Sequence, residues 1–107
     1  MDILKKYVDE VKKIYGSHLQ KIILYGSYAR GDYTPDSDVD IMILVDMNES
    51  EIRDLRDKLC DVTFDLSFDH DILIMPIVQN TDFFYKWVCA HPFYNNVNNE
   101  GVELYAA

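Results

Sequence analysis

One segment of the chain has residue types and spacing that could do chemistry: Gly26-Ser27, ten intervening residues, then Asp38-Val39-Asp40. Side chains alternate faces along a strand, so Asp38 and Asp40 point the same way. Two ionised carboxylates held that close repel, and a divalent cation relieves the repulsion. Mg²⁺ favours such oxygen ligands and completes its octahedron with water and phosphate oxygens. Gly26 has no side chain to block a close approach. Ser27 offers a hydroxyl and, at a strand-to-helix corner, a backbone N–H for phosphate. Arg30 could grip a phosphate bidentately, or serve equally well as a structural ion-pair partner. Gly31 adds a second flexible point. The segment could therefore hold a triphosphate and the metal that bridges it.

Rival readings fail on the same residues. Gly26 to Gly31 matches the first half of a phosphate-binding P-loop, but Asp32-Tyr33 follows where Lys-Ser/Thr is required. Asp36-Ser37-Asp38-Val39-Asp40 matches the start of an EF-hand loop, but Ile41 and Met47 occupy the places of its Gly and final Glu. There is no GxGxxG and no HExxH. Either half of the segment alone would read as an ordinary polar loop; both halves at the ends of adjacent strands are much less common.

The elements that must position these residues are legible in the apolar spacing. Ile3, Leu4, Tyr7, Val8, Val11 and Ile14 predict an amphipathic helix over 2–15, ended by Gly16-Ser17. Residues 21–25 form a short apolar run that suits a strand buried on both faces. A helical turn and a loop follow over 28–37, then a second strand over 38–45. A helix opens near Asn48 and runs to about Phe68 on Ile52, Leu55, Leu59 and Val62. A third strand is expected over 71–78, at a sheet edge or with a bulge at Pro76, which cannot donate to a ladder. Helices over 81–90 and 92–100 follow. The fold class is α/β (α+β): a short mixed sheet flanked by helices.

The chain has 107 residues, 49% hydrophobic and 27% charged, which suits one compact domain spanning 1–107. No second, acceptor-binding domain fits, so part of any acceptor site is expected to come from another chain. The net charge of −9 argues against direct nucleic-acid binding, which needs many Lys/Arg–phosphate contacts, and suits cations or a basic partner. The N-terminus shows no signal-peptide pattern and no apolar run approaches the roughly 20 residues of a membrane span. Cys60 and Cys89 lack metal-ligand spacing and read as buried free thiols in a reducing cytoplasm. His70 reads as a solvated turn residue, and Asp32 and Asp36 as solvated loop acids.

The string from Tyr25 through Gly26-Ser27 to Asp38-Val39-Asp40-Ile41 resembles the signature of the nucleotidyltransferase superfamily related to DNA polymerase beta, and in particular its minimal nucleotidyltransferases, the MNT proteins. The similarity extends to Met75-Pro76-Ile77-Val78, His91-Pro92-Phe93-Tyr94 and Glu100-Gly101-Val102. The resemblance implies the nucleotidyltransferase fold and a reaction in which two Mg²⁺ ions, held by three carboxylates, guide attack on the α-phosphate of a nucleoside triphosphate such as ATP. Asp38 and Asp40 match the first two carboxylates, and Gly26 and Ser27 the phosphate-binding pair. The third belongs on a neighbouring strand, where Asp71 is the choice and Asp69 and Asp65 compete. MNT proteins of this kind resemble the antitoxins of HEPN/MNT toxin–antitoxin modules. That implies a HEPN-type toxin as partner and a tyrosine hydroxyl of that toxin as acceptor of AMP. Phe83, Phe84, Trp87, Phe93 and Tyr94 could form the docking face. Two alternatives stand beside it: a non-catalytic domain that neutralises its partner by covering it, and a small-molecule, aminoglycoside-type transferase.

Overall fold

The computed structural model describes residues 2–107. Helix α1 (Asp2–Tyr15) leads through a 3₁₀ turn into β1 (Leu19–Tyr25), then α2 (Ser27–Arg30) and β2 (Val39–Val45). Helices α3 (Glu49–Asp54) and α4 (Arg56–His70) lead to β3 (Ile74–Asn80), followed by α5 (Thr81–Trp87), α6 (Pro92–Glu100) and β4 (Val102–Ala106). The four strands form one sheet in the order β3-β2-β1-β4. β1 runs antiparallel to both β2 and β4, while β2 and β3 are parallel and joined through α3 and α4. The sheet is thus mixed, as the sequence predicts, and β3 lies at its edge with Pro76 on it.

Alternation along the central strands divides the core in two. Ile22, Leu24, Val39, Ile41, Ile43 and Val45 face the side covered by α1 and α4, where Ile3, Leu4, Tyr7, Val11 and Leu59 meet them. Ile23, Met42 and Leu44 face the other side and pack on Phe84 of α5 and Val97 of α6. Apolar residues at every position of β2 after Asp40 follow from this burial on both faces. α1 is fastened to α4 by the Tyr7 hydroxyl, 2.7 Å from Thr63 Oγ1.

Several local expectations need correction. The helix expected from about Asn48 to Phe68 is two helices, opened by a capping box between Asn48 and Glu51 and interrupted at Leu55. At Leu55 (φ −97°, ψ −1°) the N–H turns to the carbonyls of Arg53 and Ile52, a tightening with no Pro or Gly to announce it. The third strand begins at Ile74, not Asp71. Asp71 instead terminates α4 in the left-handed region (φ 50°, ψ 45°), where a short polar side chain is tolerated. Residues 102–106 form a fourth strand that the sequence reading left unassigned. Cys60 and Cys89 are free but exposed rather than buried; Cys60 lies at an open cavity that it lines with Tyr15 and Leu59, and Cys89 follows the end of α5. Phe84 is fully buried and belongs to the core, whereas Phe64 and Phe68 on α4 stand 67% and 76% exposed.

Gly101, the C-terminal residue of the α6–β4 corner, is required by space: a Cβ there would run into Ile23 Cγ2 and the Val97 carbonyl. Three tyrosines also couple the core to alkaline pH. Burial pushes the Tyr7 phenol far above its ordinary value, and Tyr15 and Tyr25 up to about 12. An acid whose folded pKa is raised contributes stability that is intact below its unfolded pKa, about 10 for Tyr, and lost as pH climbs from there toward the folded value. Tyr7→Phe should lower stability at neutral pH by about 1 kcal/mol through the lost bond to Thr63. It should also flatten the decline above about pH 10. Thermal melts across that range check both, and an unchanged alkaline decline would exonerate the buried phenol.

Candidate active site

β1 ends on the side of the sheet that α5 and α6 cover incompletely. Its last residue, Tyr25, is the register partner of Asp40 on β2. The chain then turns at Gly26 with φ 74° and ψ −154°, a region open essentially to glycine alone. Space imposes the same choice, since a Cβ at Gly26 would collide with Asp40 Oδ2. The bare backbone of Gly26 therefore lies directly against the Asp40 carboxylate.

α2 follows at once. The Gly26 carbonyl accepts from the N–H groups of Ala29 and Arg30, both at 3.1 Å, and the Ser27 carbonyl from Gly31 at 2.9 Å. No side chain caps the N-terminal end of α2. Ser27, half-buried, opens α2 directly after the glycine that abuts Asp40. Gly31 closes the turn in the left-handed region (φ 83°). The loop back to β2 is ordered by the stacking of Tyr33 on Tyr28, with ring centroids 4.4 Å apart and 4° between planes. A turn in which Ser37 Oγ accepts from the Thr34 N–H at 2.9 Å adds to it. The Val39 N–H donates to the Leu73 carbonyl at 2.8 Å and starts β2.

Asp38 is exposed and Asp40 half-buried. The Asp40 carboxyl is held above the usual carboxylate range, chiefly by burial, then by the like charge of Asp38, and is opposed by Arg30. The same negative charge adds to burial in raising Tyr25. Arg30 lies 3.3 Å from Asp32 through Nε and 3.9 Å from Glu100 through Nη1, so here it is an ion-pair partner at the rim. A shallow cleft beside it is lined by Tyr25, Gly26, Arg30, Phe93, Asn96 and Glu100. Sequence reasoning missed Asn96 and gave Glu100, noted only within the Glu100-Gly101-Val102 similarity, no part in the site; α6 brings both to it.

Gly26, Ser27, Asp38, Asp40 and Arg30 are thus brought together, and Asp71 is not. It caps α4 and lines a separate cleft with Phe64, Ser67 and Phe68. Asp65 and Asp69 are exposed on α4. Among the described residues no three His, Cys, Asp or Glu side chains form a metal-binding group. Asp38 and Asp40 nonetheless fit Mg²⁺, which is commonly held by one or two carboxylates plus substrate phosphates. The unbalanced negative charge at Asp40 and the bare Gly26 backbone suit a cation and a phosphate oxygen lying side by side.

Removing the like charge should be measurable without any ligand. In Asp38→Asn, the Asp40 pKa should move down toward the ordinary range and the melting temperature should not fall. Carboxyl-carbon NMR titration reads the first and calorimetry the second. An Asp40 titration indifferent to Asp38 would remove the electrostatic coupling.

Comparison with known proteins agrees with this geometry. Residues 4–97 match the nucleotidyltransferase domain family. A Methanocaldococcus jannaschii protein named "putative protein adenylyltransferase" is 36% identical over 104 residues, covering 97% of each chain. A chain in the crystal structure of a MntA–HpeT toxin–antitoxin variant shares the fold, with a TM-score of 0.60, 17% identity and coverage of 97% of this chain and 73% of that one. So does a chain in a toxin–antitoxin structure with AMP-PNP, with a TM-score of 0.54, 18% identity and coverage of 96% and 73%. With a glycine-serine corner packed against a paired aspartate strand, and with a family match that spans both, the chain belongs to the nucleotidyltransferase domain family.

Proposed function

We propose that the chain is a Mg²⁺-dependent protein adenylyltransferase that transfers AMP from ATP to a hydroxyl of a partner protein. The acceptor is a tyrosine of a HEPN-type toxin, and the chain acts as its antitoxin. The observation that carries the reading is the close approach of the Gly26 backbone to Asp40, which places the glycine-serine corner against the strand that carries two carboxylates. The name of the M. jannaschii relative supports protein as the acceptor. The toxin–antitoxin complexes that share the fold, one of them with AMP-PNP, support the partner and the adenine nucleotide.

Each residue takes a definite part. Ser27, through its hydroxyl and N–H, holds oxygens of the triphosphate, and Gly26 lets them approach the backbone. Asp38 and Asp40 would hold Mg²⁺. Arg30, at the rim, can exchange Asp32 for a phosphate by rotating its side chain. Two Mg²⁺ ions, when bound, would neutralise charge on the α-phosphate and on the departing pyrophosphate. The acceptor oxygen forms a bond to the α-phosphorus as the bond from that phosphorus to the bridging oxygen breaks. Pyrophosphate leaves with the electron pair, and the acceptor proton passes to solvent across the open face. Asp71 has no part, since it caps α4.

The lack of a third carboxylate favours a second reading, in which the domain neutralises its partner by binding alone. Intact-mass analysis of the complex after incubation with Mg-ATP separates the two. AMP-sized gains on the partner, absent with Asp38→Asn, are expected. A stable complex with no gain would overturn transfer and leave binding.

A further inference from the structure

The open face beside the aspartates has an apolar residue where another ligand would stand. Val39 and Ile74 are register partners, and both turn into the core covered by α1 and α4. One step along, Asp40 partners Met75, and two steps further Met42 partners Ile77. Partners in a parallel pair lie side by side and point the same way. Met75 therefore stands next to Asp40 on the opposite, open face. Leu73, just before the strand, and Met75 and Ile77 on it are 51%, 46% and 41% exposed. The two alternate positions of β3 nearest the aspartates on this face, Met75 and Ile77, are thus both apolar, while Leu73 lines the cleft of Asp71.

Building on the metal site proposed above, we infer that Met75 occupies the third protein corner of that site. The chain is left with a two-carboxylate set that holds a divalent cation only together with the nucleotide's triphosphate. A thioether is a soft donor and a poor ligand for a hard cation, which takes oxygen. Asp38 and Asp40 supply too few oxygens to complete an octahedron, and Asp38 is exposed to competing water. Phosphate oxygens held by Ser27 make up the set. Cation and nucleotide then raise each other's affinity by the same factor, as linkage requires.

Mn²⁺, an EPR-active stand-in, tests this without turnover. Free Mn²⁺ is titrated into the wild-type chain, Met75→Asp and Met75→Glu in the absence of nucleotide, with circular dichroism to check folding. AMP-PNP binding is followed calorimetrically with Mn²⁺ and with EDTA. The wild type should bind Mn²⁺ weakly alone, and a carboxylate at position 75 should tighten it by roughly tenfold or more. AMP-PNP binding should be lost in EDTA. The longer Met75→Glu arm gives the answer should Met75→Asp fail to fold. If the wild type binds Mn²⁺ alone as tightly as the variants do, the inference is overturned while the metal site stands. If AMP-PNP binding ignores both EDTA and Asp38→Asn, the metal site itself is overturned.

Discussion

The rest of the site depends on one close approach, that of the Gly26 backbone to the Asp40 carboxylate. It requires β1 to end opposite Asp40 in register, which the antiparallel ladder from Leu24–Ile41 to Tyr25–Asp40 secures. It requires a backbone conformation that only glycine adopts without strain. It also requires β2 to be immobile, and β2 is buried on both faces over its apolar length. The repulsion between Asp38 and Asp40 is thus held in place by some of the best-packed residues of the molecule. A polar site is precise in so small a domain because its supports are apolar and rigid.

How much of this could be read beforehand depended on whether the cause was local. The spacing of Ile3, Leu4, Tyr7 and Val11 is a local signal, and α1 falls where it predicts. The strand ends that carry Gly26, Ser27, Asp38 and Asp40 were legible because residue type and separation both carry meaning there. Asp71 misled because an acid before an apolar run looks the same whether it opens a strand or closes a helix. The left-handed cap was decided by the Ser67 and Phe68 carbonyls behind it. β4 has only Val102, Leu104 and Tyr105 to announce it and forms because β1 offers a free edge. Glu100 and Asn96 reach the site through α6 packing, which no spacing encodes.

The uneven cover of the sheet connects fold to function. One face is closed by α1 and α4 along its whole length. On the other, Ile23, Met42 and Leu44 pack on Phe84 of α5 and Val97 of α6, with Tyr25 partly buried against them and against Phe93. Asn80 ties the start of α5 to the far end of β2, accepting from the Phe83 N–H at 3.0 Å and donating to the Met47 carbonyl at 2.8 Å. That tether keeps the helix away from the end where the aspartates stand. Pro76, which cannot donate, blunts the β3 edge against further strand pairing. Met75 and Ile77 on β3 remain exposed, in register with Asp40 and Met42.

An apolar residue at position 75 also has a consequence for stability. A domain of this size buries a smaller share of its surface than a large enzyme and has little stability to lose. Asp40 already carries the cost of burial and of Asp38's charge. A third carboxylate in register with it would add a second like charge to the most desolvated of the pair. The repulsion would be relieved only while a cation was bound. Met75 removes that charge from the free protein and leaves its β3 neighbours undisturbed. On the metal site proposed above, the same residue would lower the affinity for cation alone and make the nucleotide part of the site. On that proposal, the stability of the free chain and the dependence on nucleotide would follow from one side chain.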